Sequence, residues 1–158
     1  MITLELKNSD FTDLALLDWV FADPDISQAA LADELDLAIG TVNGRLQQLV
    51  EKGYIRVERT LRRKLRYIIT PEGRALRATL MEAYIRETMH LFQQVRQQVK
   101  ELLEALDGSG ARAVRLLGSG DVADVCRLTC VEHQVELTED LEAPALVVDG
   151  LEISIAWP

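Results

Sequence analysis

A stretch without proline or glycine, longer than any other in the chain, runs from Arg74 to Asp107. Pro71 stands just before it, where the first turn of a helix tolerates a missing amide, and Glu72 suits the positive end of the helix dipole. These features predict one continuous helix of about 35 residues, roughly 50 Å long. Such a helix divides the chain, because a domain of this size cannot bury the whole length of it.

Apolar side chains follow a regular pattern along the predicted helix. The following positions alternate in steps of three and four residues: Ala78, Met81, Ile85, Thr88, Phe92, Val95, Val99, Leu102 and Leu106. A repeat of about 3.5 residues is the pattern of a coiled-coil seam and predicts a homodimer. A helix buried within its own chain is the alternative. Further apolar side chains beside the seam predict contacts with the rest of the protein: Tyr84, Met89, Leu91 and Leu103.

The chain is therefore expected to have three parts. Residues 1–70 form one domain, residues 71–107 the long helix, and residues 108–158 a small C-terminal α/β unit, which together make an α+β fold. With 158 residues the chain has no room for a large catalytic scaffold. Its 48% hydrophobic and 27% charged residues are typical of a folded soluble protein rather than a disordered one.

Nothing in the sequence indicates export or membrane insertion. The N-terminus has no basic stretch followed by an apolar core, and the apolar runs are far shorter than the roughly 18 residues that a membrane span needs. Cys126 and Cys130 are the two cysteines of the chain, which fits a reducing compartment better than a disulfide framework. We therefore expect a cytoplasmic protein with no membrane partner.

The net charge of −9 argues against nucleic acid as a partner only if the charge is evenly spread. It is uneven, since residues 40–66 hold eight basic and two acidic side chains, whereas residues 1–39 hold one basic and nine acidic. Residues 107–158 hold three basic and ten acidic side chains. A positive segment thus lies within an acidic protein, and its structural setting decides whether it is more than a solvated face.

Three short helices are predicted in the N-terminal domain. An amphipathic pattern covers 11–21, and Ser27 offers a side-chain cap to a second helix over 28–35. A third helix ends at Gly53, and its buried stripe consists of Val42, Leu46, Leu49 and Val50. A connection of about four residues between the last two helices is typical of a helix-turn-helix. Four outward polar side chains of the third helix are predicted to contact DNA: Thr41, Asn43, Arg45 and Gln48.

Two segments of alternating apolar and charged residues follow, over 54–60 and 64–70. They predict a β-hairpin with a basic tip. Directly after a recognition helix, such a hairpin is the wing of a winged helix, whose cations grip the DNA backbone or minor groove. The predicted contacts are Arg59, Arg62, Arg63 and Lys64. A winged helix used only for protein contacts is the alternative.

The run SQAALADELDLAIGTVNGRLQQLVEKGYIRVE, followed by LRYIITPEGRAL, resembles the winged helix-turn-helix of MarR-type bacterial transcription regulators. The resemblance covers about residues 10–100 and is greatest to the small regulators found with polysaccharide biosynthesis genes. It implies a DNA-binding regulator. A two-fold dimer presents two recognition helices to a pseudo-palindromic site on double-stranded DNA.

The chain departs from that family pattern at the start of the third helix, where Ala38 replaces the usual serine or threonine. We therefore expect a weaker N-terminal cap. Ile39 and Gly44 also leave fewer polar groups for reading bases. Sequence preference is then expected to rest more on contacts with thymine methyl groups and on DNA shape.

The C-terminal part reads as a strand, a helix and three more strands, over 113–117, 121–133, 135–137, 145–148 and 151–156. After the first strand, GSGDVA matches the G-x-G-x-x-A pattern of phosphate-binding turns. The family resemblance suggests a nucleotide or nucleotide-sugar effector. The candidate effector-binding residues are Gly118, Ser119, Gly120 and Asp140. Asp121 counts against an anion there, and a structural or oligomerising unit is the alternative.

Cys126, Cys130 and His133 share one face of the predicted C-terminal helix. Such side chains can hold zinc or copper, and the thiols can respond to oxidation, but buried apolar thiols are the favoured interpretation and we expect no metal. His90 has no clustered partner and receives no role. Because no general base is paired with a nucleophile in the C-terminal part, we expect no enzyme. A protein-interaction scaffold built on the long helix, with DNA binding incidental, is the alternative function.

Overall fold

The structure is a computed structural model that describes residues 8–61 and 64–158. The chain forms two compact units, one up to residue 87 and one from residue 88 to the C-terminus. The boundary falls inside the long helix, so each unit contains part of that helix. Within the described ranges, no helix combines the length and the apolar character that crossing a membrane requires.

Three helices begin the first unit: α1 (Asn8–Ala22), α2 (Gln28–Glu34) and α3 (Ile39–Glu51). Ser27 caps α2, since its side-chain oxygen accepts a hydrogen bond from the backbone N–H of Ala30 at 3.1 Å. Ala38 precedes α3 and supplies no side-chain hydrogen bond to it. Both the cap of the second helix and the weaker start of the third are as predicted.

A β-hairpin follows, made of β1 (Ile55–Arg59) and β2 (Leu65–Ile69). The strands pair antiparallel, with Ile55 opposite Ile69 at the buried end and Arg59 opposite Leu65 at the exposed end. Gly53 enters the hairpin with φ +78°, a left-handed conformation that favours glycine. The predicted helix-turn-helix and hairpin are therefore confirmed.

The TPEG sequence starts the long helix, α4 (Pro71–Asp107), which has the predicted bounds. Thr70 Oγ1 accepts a hydrogen bond from the backbone N–H of Gly73 at 3.0 Å and donates one to the carbonyl of Gly53 at 2.6 Å. A Cβ at Gly73 would lie 2.0 Å from the carbonyl oxygen of Tyr54, so only glycine fits. Thr70 thus caps α4 and joins it to the hairpin.

The core of the first unit is drawn from all three helices and both strands. Leu76 and Leu80 of α4 pack against it. Each buried aliphatic side chain contributes about 1.5–3 kcal/mol relative to an exposed one. The buried residues of this core are Leu16, Leu17, Val20, Ile26, Leu31, Ala32, Val42, Leu46, Leu49, Ile55, Tyr67 and Ile69.

The second unit contains the last part of α4 together with β3 (Ala113–Leu117), α5 (Asp121–Glu132), β4 (Glu136–Leu137), β5 (Ala145–Asp149) and β6 (Glu152–Ala156). The strand order is β4-β3-β5-β6, with β3 parallel to both its neighbours and β6 antiparallel to β5. The predicted strand–helix–strand unit with two more strands is confirmed. The strand β4 is shorter than predicted, because only two of its residues pair with β3.

The core of the second unit uses part of the predicted coiled-coil seam. Its buried members are Val99, Leu103 and Leu106 of α4, Cys126 and Cys130 of α5, and Val114 and Leu146 of the sheet. The C-terminal turns of α4 therefore pack within their own chain. This finding matches the alternative of an intramolecular helix for that half of the seam.

Candidate nucleic-acid interface

One side of α3 is buried and the other is open. Val42, Leu46 and Leu49 lie in the core of the first unit, as the predicted stripe requires. Of the polar side chains predicted to contact DNA, Thr41 and Gln48 are exposed, whereas Asn43 and Arg45 are half-buried. The predicted contacts on α3 thus fall into two different environments.

Two glycines, Gly40 and Gly44, lie one turn apart on α3. A Cβ built at either position meets no atom within 4 Å of the described chain. In a helix interior, where Gly44 lies, glycine costs about 1 kcal/mol relative to alanine, and packing within the first unit requires neither glycine. The pair leaves bare backbone, which a binding partner can approach closely.

The guanidinium of Arg45 is held by α1. Its Nε and Nη2 atoms lie 3.0 and 2.7 Å from the two carboxylate oxygens of Asp13, and Nη2 also donates to the carbonyl of Ser9 at 3.0 Å. Its Nη1 donates to Oε1 of Gln48 at 3.0 Å. Arg45 therefore ties the recognition helix to α1. A role for Arg45 in contacting DNA stays a prediction.

Asn43 belongs to a polar network that joins α2, α3 and β2. Gln28 Nε2 donates to the hydroxyl of Tyr67 at 2.9 Å and to Oδ1 of Asn43 at 3.3 Å. The ring of Tyr67 is buried in the core, with 3% of its surface exposed. The network fixes the position of one predicted DNA contact relative to the core.

The hairpin carries the remaining predicted contacts. Arg59 and Lys64 are exposed, and Leu61 at the tip is fully exposed. Arg62 and Arg63 lie outside the described residues. The cations of the hairpin that the structure describes thus face solvent, where a phosphate backbone can reach them.

Ion pairs engage some of the basic residues in the positive segment 40–66. The pairs are Arg45 with Asp13, Arg56 with Glu58 at 2.9 Å, and Arg66 with Asp25 at 3.7 Å. Among the residues that the structure describes, the cations of this segment that form no ion pair are Lys52, Arg59 and Lys64. The hairpin and the end of α3 therefore hold the cations most readily offered to phosphates.

Sequence reasoning missed Gln28 as part of this surface. Periodicity places Gln28 at the start of a short helix but does not indicate that its side chain bonds to Tyr67 and Asn43. The one available signal was Tyr67, which alternation places on the inner face of the hairpin and whose hydroxyl then needs a hydrogen-bond partner.

The candidate effector turn between β3 and α5 has structural reasons for its glycines. Gly118 has φ +139° and packs so closely that a Cβ would lie 2.7 Å from Cβ of Val148, and Gly120 has φ +88°. Asp121 and Asp124 place two carboxylates in the first turn of α5. These features explain the G-x-G pattern without a bound phosphate.

A cavity of about 300 Å³ opens at the carboxyl ends of β3 and β4. None of the four candidate effector residues lines it, although Leu117 and Glu139 beside them do. Ser119 lies in the turn between the two glycines, and Asp140 Oδ1 accepts a hydrogen bond from the backbone N–H of Glu142 at 3.1 Å. The four candidate residues therefore do not converge on this cavity.

The cysteines and His133 differ in environment. Cys126 and Cys130 are fully buried, whereas His133 is exposed. Burial raises the pKa of both thiols, and the neighbouring Cys126 helps to raise that of Cys130 from 9.0 to about 11. Across the described part of the chain, no three His, Cys, Asp or Glu side chains are grouped to hold a metal ion. The geometry favours the interpretation of these thiols as core residues.

A helix-turn-helix with an exposed polar face, followed at once by a projecting basic hairpin, defines a winged helix of the DNA-binding class. Comparison with protein families agrees, since residues 10–56 match the model described as winged helix-turn-helix DNA-binding. The match covers α1, α2, α3 and the start of β1. A search of curated protein sequences finds no match to the chain.

Several solved structures similar to this chain are transcriptional regulators. The PcaV regulator from Streptomyces coelicolor, solved with its natural ligand, aligns with a TM-score of 0.50 and 18% identity over 70% of this chain and 78% of its own. BldR from Sulfolobus solfataricus aligns with a TM-score of 0.49 and 26% identity over 65% of this chain and 73% of its own. A MarR transcriptional regulator from Methanosarcina mazei aligns with a TM-score of 0.46 and 25% identity over 63% of this chain and 76% of its own. The likeness to PcaV shows the fold.

Proposed function

We propose that the protein is a transcriptional regulator that binds double-stranded DNA as a homodimer. The observation that carries the proposal is the open face of α3 next to a projecting hairpin with exposed cations, in a segment of the DNA-binding winged-helix type. In this arrangement the N-terminal half of α3 enters the major groove, and the hairpin contacts phosphates or the minor groove.

The proposed dimer rests on exposed apolar side chains in the first half of the seam of α4 and on Met89 beside it. Ile85 and Met89 expose 54% and 51% of their surfaces, and Ala78 is also exposed. Large apolar side chains exposed one helical turn apart, as Ile85 and Met89 are, indicate an interaction surface, and a heptad repeat is self-complementary across a two-fold axis. A second copy of the chain is therefore the proposed partner.

A nucleotide or nucleotide-sugar effector in the second unit is a further part of the proposal. Its support is the position of the Gly118–Gly120 turn between a parallel strand and the N-terminus of α5. Because Asp121 and Asp124 repel a phosphate there, binding is expected to be weak. Titration of the full chain with UDP, followed by thermal unfolding, tests this part separately.

DNA binding is tested by fluorescence anisotropy with an unrelated duplex across a salt series. The variant with Arg62, Arg63 and Lys64 all changed to Ala is expected to bind more weakly, with a salt slope smaller by up to about three units. The matched control changes three exposed cations elsewhere to Ala: Arg86, Lys100 and Arg127. This control lowers the net charge by the same three units, and its salt slope is expected to stay close to that of the parent protein.

Equal slopes in the two variants would refute the hairpin as a phosphate clamp. A parent protein that binds no duplex at low salt overturns the proposed function. The scaffold alternative then leads, because the exposed face of Ile85 and Met89 equally suits a different protein. A chain that stays monomeric until such a partner is added supports that alternative.

A further inference from the structure

We infer that Gln28 and Tyr67 act as positioning residues that orient the Asn43 amide and so determine which base α3 recognises at one position of each half-site. The inference rests on the proposed DNA binding. Neither residue lies on α3, and the effect passes through hydrogen bonds from α2 and β2.

Tyr67 is the fixed point of the network. Its ring lies in the core, and its backbone N–H donates to the carbonyl of Pro24 at 2.9 Å. The hydroxyl of Tyr67 accepts one N–H of Gln28 at 2.9 Å, and the second N–H of the same amide faces Oδ1 of Asn43 at 3.3 Å. Both donors of Gln28 are thereby used.

The orientation of Asn43 follows from this arrangement. Gln28 holds Oδ1 of Asn43 on the side of α2, and among the described residues Nδ2 forms no hydrogen bond, so Nδ2 is the end of the amide left for a partner. Asn43 therefore offers donors to the groove. An asparagine that reads adenine in the usual bidentate way needs both its oxygen and its nitrogen, whereas guanine presents two acceptors, N7 and O6. We expect preference for guanine over adenine at the base that Asn43 meets.

Replacing Gln28 by glutamate reverses the donor and acceptor roles in both hydrogen bonds of the network. A carboxylate only accepts hydrogen bonds, so Tyr67 and Asn43 must both donate to it. Asn43 then turns its Nδ2 toward α2 and its Oδ1 toward the groove. The oxygen accepts from the amino group of adenine or cytosine, so the preference at that one position changes away from guanine.

The test is selection from a randomised duplex library by the full-length parent and by variants whose fold is checked by circular dichroism. In the parent, one position of each half-site is expected to favour guanine over adenine about tenfold. Gln28→Glu is expected to move that preference to adenine or cytosine and to leave the other positions unchanged. Asn43→Ala removes the preference at the same position, and Tyr67→Phe weakens it.

Ala29→Glu is the matched control. Ala29 is the exposed neighbour of Gln28 on α2, so glutamate there adds the same charge without touching the network. It is expected to lower affinity for all sequences equally. If Gln28→Glu behaves like Ala29→Glu, with every preference unchanged, the inference is wrong while DNA binding stands. A parent that enriches no duplex overturns the proposed function and this inference together.

Discussion

At the scale of single residues, Gly44 lies in the interior of α3, where glycine destabilises the helix, and Gly40 lies one turn before it in the first turn. Glycine in the middle of a helix is less favourable than alanine by about 1 kcal/mol, because the unfolded chain loses more freedom and no side chain packs. The open space around both positions means that a methyl group meets nothing in the described chain. The proposed DNA contact accounts for them, because a partner can lie close to helix backbone that carries no side chain.

Gly44→Ala is therefore expected to raise the free energy of unfolding by about 0.5–1 kcal/mol and to weaken DNA binding. Urea unfolding and anisotropy measure the two effects. Gly53→Ala is the contrasting variant, since φ +78° strains any other residue, and it is expected to lower stability by about 1 kcal/mol. Full DNA affinity in Gly44→Ala means that this side of α3 does not meet DNA.

The bond between Arg45 and Asp13 gives a second prediction at this scale. Both side chains are mostly buried, with 24% and 15% of their surfaces exposed, so solvent screens the pair only partly. Arg45→Ala is expected to lower the free energy of unfolding by about 1–2 kcal/mol. A double-mutant cycle with Asp13→Ala isolates the coupling. A coupling energy near zero means that the pair does not hold α3 to α1.

At the scale of elements, α5 shows how burial controls chemistry. The thiols of Cys126 and Cys130 face the core formed by α4 and the sheet, and desolvation raises the pKa of each. A thiol with a raised pKa stays protonated near neutral pH and is a poor nucleophile and metal ligand. The pair on α5 is therefore expected to react with alkylating reagents only when the second unit opens.

The pKa of Cys130 also predicts a pH dependence. Its folded-state pKa is about 11 against an ordinary value of 9.0, so the folded state holds the proton more tightly. The associated stability is complete below pH 9 and is lost as the pH rises through about 11. Chemical unfolding between pH 8 and 11 measures this loss, and Cys130→Ala is expected to reduce it. Identical pH profiles for the two proteins contradict the prediction.

Sequence patterns predicted most elements well, because helices and strands follow local rules. The uninterrupted stretch after Pro71 became α4, and the alternation after Gly53 became the hairpin. Local rules failed where pairing sets the length of an element, as in β4, and where a polar side chain is shared between elements, as in Asn43.

At the scale of the whole molecule, the two halves of the seam of α4 differ in exposure. Val99 and Leu106 are buried in the second unit, whereas Ile85 lies open in the first. The 3.5-residue repeat is therefore not exposed as one continuous face. The proposed contact between two copies is confined to the open half.

Ile85→Glu combined with Met89→Glu is expected to convert a dimer into a monomer, because two charges cannot be buried without partners. Sedimentation velocity measures the change. Leu128→Glu is the control, since Leu128 is exposed to a similar degree, 58%, and lies on α5 instead of α4. If Leu128→Glu dissociates the dimer and the double variant does not, the interface lies on α5 instead. The monomer is also expected to bind DNA more weakly, since it holds one recognition helix.

The sequence by itself determined the helix-turn-helix, the hairpin, the long helix and the C-terminal strand order along the chain. Hydrophobic period, caps, glycine and proline act over a few residues, and these suffice to decide local structure and which side of an element faces inward. Only the tertiary structure decided the partners of the polar residues on α3. Arg45 meets Asp13 across 32 residues, and Asn43 meets Gln28 across 15. Such contacts depend on how elements pack in space, which periodicity along a single helix does not specify.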